Sequence, residues 1–90
     1  MGWRAYATGK NEDKIERLCT SNCGTILREV SNDEIYSENT WQKDYVKSIV
    51  KNAFWDSIEK ERHYDDDDIM RVKVFLEECV KYDCGIEFSF

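Results

Sequence analysis

Residues 18–30, Leu18-Cys19-Thr20-Ser21-Asn22-Cys23-Gly24-Thr25-Ile26-Leu27-Arg28-Glu29-Val30, decide the fold of this chain. Ile15, Leu18, Cys19 and Asn22 recur at helical spacing. Asn11 stands ahead of them as a cap, with Glu12 and Asp13 in the first turn, where acids suit the helix dipole. Gly24 is suited to the left-handed conformation that closes a helix, so the helix is expected to end there. Residues 25–30 then read as a strand. The same pattern recurs in Glu78-Cys79-Val80-Lys81-Tyr82-Asp83-Cys84-Gly85, followed by Ile86-Glu87-Phe88-Ser89-Phe90. This last run alternates, with Ile86, Phe88 and Phe90 on one face and Glu87 and Ser89 on the other.

Trp3 to Thr8 is a strand closed by Gly9, with Arg4, Tyr6 and Thr8 on the face opposite Trp3, Ala5 and Ala7. Ser31-Asn32-Asp33-Glu34 is a turn and Ile35-Tyr36-Ser37 a return strand, forming a hairpin. Asn39 or Thr40 caps a helix over 40–63, with Trp41, Tyr45, Ile49 and Ala53 in one row and Val46, Val50, Phe54 and Ile58 in another. His63-Tyr64-Asp65-Asp66 interrupts it. A further helix starts at Asp67 or Asp68 and runs until Gly85, with Ile69, Val72, Leu76, Cys79 and Val80 inward.

The resulting order is β-α-β-β-α-β in a single domain, 1–90, with the second helix broken near residues 63–67. It resembles the ferredoxin-like arrangement: an α+β sandwich whose four-stranded antiparallel sheet, in the order 4-1-3-2, carries the helices on one face. The alternative is a meander sheet with three helices around it.

Apolar residues make up 41 % of the chain and aromatics 13 %, which suits a packed core even with 36 % charged residues. No apolar run approaches a membrane span or a signal-peptide core, and Tyr6 occupies the place where myristoylation needs Ser or Thr. A cytoplasmic protein is expected, in the host cytoplasm if the chain is phage-encoded. The formal net charge of −6 is concentrated late in the chain. It opposes direct binding of nucleic acid and favours a partner with a basic surface.

Two cysteine pairs, Cys19 with Cys23 and Cys79 with Cys84, raise a structural zinc site as one alternative. In the expected topology the pairs lie at opposite edges of the sheet, so no metal or other cofactor is expected, and the cysteines are read as apolar side chains under helix ends. The lone His63 gives no Cys-His pair, and no phosphate loop or Ser-His-Asp set occurs, so the chain is not expected to be an enzyme.

Asp65-Asp66-Asp67-Asp68 is the sharpest charge feature. Its structural role would be to cap and charge a helix start. Its functional role would be an acidic face, joined by Glu77, Glu78 and Asp83, that imitates nucleic acid and occupies a basic groove such as that of a nucleic-acid enzyme, with Tyr64 and Trp55 as anchors. The expectation is an inhibitor or immunity-type factor, of which a phage or mobile-element anti-defence protein is an example. The alternative is a small-ligand or single-stranded nucleic-acid module using Arg4, Tyr6 and Tyr36 on the open sheet face, a face that would also serve a homodimer.

Overall fold

The computed structural model describes residues 4–19, 21–30, 40–52 and 64–89. It is a mixed α+β structure: strand β1 (Arg4–Thr8), a 3-10 turn (Glu12–Lys14), helix α1 (Ser21–Val30), strand β2 (Thr40–Trp41), helix α2 (Lys43–Asn52), helix α3 (Asp66–Lys81) and strand β3 (Gly85–Ser89). No helix among the described residues is long and apolar enough to cross a membrane.

The two strands at the ends of the chain pair with each other as expected, antiparallel, with Ala5 opposite Phe88 and Ala7 opposite Ile86. β2 flanks β3 on its other side, with Trp41 opposite Ile86, so the sheet order is β1-β3-β2. Here the expectation needs correcting. A ferredoxin-like order places the last strand at an edge, whereas β3 is central among the described strands. Ala5, Ala7, Trp41, Ile86 and Phe88 are buried, while Arg4, Thr40, Glu87 and Ser89 on the other face are exposed. The alternation read from the sequence therefore holds in β1 and β3.

The stretch from 11 to 30 differs from its expected form. Residues 12–14 form a 3-10 turn, and the chain then runs extended to Leu18, which pairs with Ala5 through two backbone hydrogen bonds. α1 starts at Ser21, so Gly24 lies inside it and residues 25–30 are helix rather than strand. The cause is the buried set Cys23, Ile26, Leu27 and Val30, spaced i, i+3, i+4, i+7. A strand would bury only one of the neighbours Ile26 and Leu27; both are fully buried against the core.

The helix expected over 40–63 begins at Lys43, because Thr40 and Trp41 are drawn into the sheet. Ile35-Tyr36-Ser37, the segment around His63 and the far end of that helix lie outside the described residues. α3 ends at Lys81, four residues before Gly85. Its end is a Schellman turn: Cys84 N–H donates to Cys79 C=O (2.8 Å) and Asp83 N–H to Val80 C=O (3.2 Å), with Asp83 in the left-handed region at φ 57°. The Cys-x4-Cys spacing thus belongs to this turn, whose first and last hydrogen-bonded residues commonly touch through apolar side chains. Gly85 serves a different need. A Cβ there would stand 2.5 Å from Trp41 O, so glycine is what lets β2 approach β3.

Candidate functional site

The four aspartates divide into two groups on folding. Asp65 is the N-cap of α3, yet its side chain makes no capping hydrogen bond. Asp65, Asp66 and Asp67 are exposed, and no ion pair holds them among the described residues. Asp68 does not join them, which corrects the expected four-residue face. It is 8 % exposed, it accepts a hydrogen bond from Asn22 Nδ2 (3.3 Å), and its backbone carbonyl receives the Cys23 thiol at 4.0 Å. One turn of the α3 start is therefore pinned to α1, while the three preceding carboxylates face solvent.

The acids later in the chain stand apart from this group. α3 is 16 residues, roughly 24 Å at 1.5 Å per residue, and Asp83 lies beyond its far end. That separation is about three Debye lengths at physiological salt, so Asp83 adds little to the field around Asp65–Asp67. Asp83 is also neutralised locally. Lys47 Nζ lies 2.8 Å from one carboxylate oxygen and Lys43 Nζ 3.1 Å from the other. Hydrogen bonds from Lys47 and then Lys43 hold the Asp83 carboxyl below the usual aspartate range, and the same contact raises Lys47. Its work is to tie α2 to the end of α3. Glu77 is exposed and Glu78 half-buried on α3.

Between the two acidic ends, α3 shows the exposed large apolar residues of the described chain, Met70 (59 %) and Val74 (42 %), one turn apart. The outer face of the helix therefore runs Asp66, Asp67, Met70, Val74, Glu77. Sequence reasoning passed over Met70 and Val74, although both fall off the inward stripe of Ile69, Val72, Leu76 and Cys79, and that misfit was the available signal. Tyr64, expected as an anchor, is half-buried and packs against the core. Trp55 lies outside the described residues.

On the open sheet face, Tyr6 stands opposite Glu87 in register, and the Arg4 guanidinium donates to the Tyr6 side-chain oxygen, a hydrogen bond that raises the Arg4 pKa. The hollow beside Tyr6 is lined by Glu12, Asp13 and Glu87 as well as Arg17, a setting that offers phosphate little. Tyr36 is outside the described residues.

The cysteines are separated. Cys19 is exposed, Cys23 sits between α1 and α3, and Cys79 and Cys84 are buried at the Schellman turn. Burial, and then the neighbouring Cys84 and Glu78, push the Cys79 thiol up to about 12, far from thiolate or ligand character. Among the described residues no group of three or more His, Cys, Asp or Glu is placed to hold a metal ion. No known protein family, characterised protein or solved structure matches the chain, so its site is read from its own geometry.

Proposed function

We propose that this chain works by binding a protein with a basic surface, as an inhibitor or immunity-type factor that occupies a site meant for nucleic acid. One observation carries the reading: Asp65, Asp66 and Asp67 are exposed carboxylates that neither cap nor ion-pair within the described chain. A helix start is normally served by one such residue whose oxygen accepts a backbone N–H. Here Asp65 makes no such bond, so capping does not account for the group. The whole chain carries −6, which extends the attraction toward a basic partner. Met70, one turn along the same face, supplies the apolar contact that Tyr64 and Trp55 were expected to give.

The test is retention from a lysate of the source cell on the immobilised chain, eluted by a salt gradient. The wild-type chain is expected to retain a basic protein that D65N/D66N/D67N releases at lower salt. The same protein eluting at the same salt from both chains would refute the reading.

A further inference from the structure

A second surface follows from the extended segment before α1. Ala5 N–H donates to Leu18 C=O (2.9 Å) and Leu18 N–H to Ala5 C=O (3.0 Å), so Leu18 is fully engaged with β1. In an extended chain, successive residues turn their N–H and C=O groups to opposite sides. Those of Arg17 and Cys19 therefore point away from β1, and neither residue makes a backbone hydrogen bond among the described residues. Among the described residues, 17–19 thus form an open edge at this isolated bridge.

Alongside that edge, between it and α3, runs a groove of about 400 Å³ lined by Leu18, Cys23, Met70, Val74 and Phe75. The α3 stretch from Met70 to Glu78 is about 12 Å long at 1.5 Å per residue, the length of roughly four residues of strand at 3.3 Å each.

We propose that this edge and groove take an extended segment of a partner protein as an added strand, its main chain pairing with Arg17 and Cys19 and every second side chain, apolar, lying in the groove against Met70 and Val74. The unpaired main-chain groups select the occupant. A helix has no free N–H or C=O along its length to offer them, whereas a strand supplies both in register. The charged groups at the groove, Glu16, Arg17, Arg71 and Glu78, balance one another. Local charge therefore leaves the choice to shape and backbone. The chain's net −6 disfavours a second copy of itself and biases toward a segment without acids. The inference rests on the reading of the chain as a protein-binding protein and adds a contact separate from Asp65–Asp67.

The probe is a displayed library of random seven-residue peptides, panned against the full chain, with the enriched peptides synthesised. Enriched sequences are expected to be apolar at alternate positions. On binding, amide hydrogen exchange at Arg17 and Cys19 is expected to slow about tenfold or more while Leu18, already bonded, is unchanged. N-methylation of alternate peptide amides is expected to weaken binding about tenfold in one phase and to spare it in the other. Val74→Lys, at an exposed position, is expected to weaken binding by a similar factor without moving Tm, and D65N/D66N/D67N to leave it intact. Failure to enrich any peptide, enrichment with helical periodicity, unchanged exchange at Arg17 and Cys19, or equal loss from both methylation phases would each overturn the proposal. None of these outcomes touches the salt dependence of the acidic group, so the two readings fail separately.

Discussion

Gly85→Ala bears directly on the sheet that organises the molecule. The added Cβ would stand 2.5 Å from Trp41 O, 3.1 Å from Thr8 Oγ1 and 3.5 Å from Lys43 N. The Thr8 hydroxyl can turn aside. The Trp41 carbonyl cannot, because it is backbone and its residue is 1 % exposed, with its ring edge-on to Phe88 at 4.7 Å and to Tyr45 at 5.4 Å. Restoring an ordinary contact needs β2 and β3 to part by roughly 0.5–1 Å in a close-packed core. Overpacking of this kind costs about 1–3 kcal/mol. In a domain of this size that lowers Tm by about 4–8 °C for each kcal/mol. The assay is thermal unfolding followed by tryptophan fluorescence, with amide exchange at Thr40 and Trp41 as the local readout. Thr8→Ala in the same chain is expected not to rescue the loss, since the carbonyl remains. A Gly85→Ala variant within about 0.5 kcal/mol of wild type would refute the close approach and, with it, the central place of β3.

Three further outcomes are expected. Ile26→Ala and Leu27→Ala should each cost about 2–5 kcal/mol in denaturant unfolding, and exposed Glu29→Ala less than about 0.5; a large cost at only one of the two neighbours would restore the strand. With Cys79 at about 12, roughly one molecule in 10⁴ carries its thiolate at pH 8, so a thiol-reactive dye should label Cys19 in the native chain and the other three only on unfolding; fast native labelling of more than one thiol would contradict the burial. The Asp83 carboxyl is lowered in the folded state, so its link to Lys47 and Lys43 contributes above the ordinary aspartate range and is lost as pH falls through the lowered value. The Tm gap between wild type and Asp83→Asn should therefore be steady from about pH 5 to 8 and close as pH falls through the lowered value, and a gap that persists through strong acid would show that the pairing is not its source.

The parts of the fold legible in the sequence were those with one dominant period. β3 alternates over five residues, β1 does the same, and the stripe of α3 runs for four turns, so no competing pattern arises. Residues 18–30 carried two periods at once. Ile15, Leu18, Cys19 and Asn22 fit a helix that does not form, because Leu18 finds two backbone hydrogen bonds with Ala5 that local sequence cannot reveal. Cys23, Ile26, Leu27 and Val30 fit the helix that does, but Gly24 in their midst looked like a terminator, and a short apolar run does not distinguish helix from strand. The second glycine misled in a related way. The left-handed residue that ends α3 is Asp83, while Gly85 answers to the approach of β2, a contact more than forty residues away in sequence. At the candidate site, the acidic stretch was legible as a cluster. Its division into three free carboxylates and one buried partner of Asn22 was not, because that depends on where α1 packs.

The proposed function is tested most directly by the association rate of the chain with its retained basic partner, measured against ionic strength. D65N/D66N/D67N changes the net charge from −6 to −6 + 3 = −3. Steering scales with the product of the charges, so the slope of log kon against the square root of ionic strength should fall to about half, with slower association at low salt and little change in the dissociation rate. An unchanged slope would show that Asp65, Asp66 and Asp67 do not face the partner, and would contradict the account.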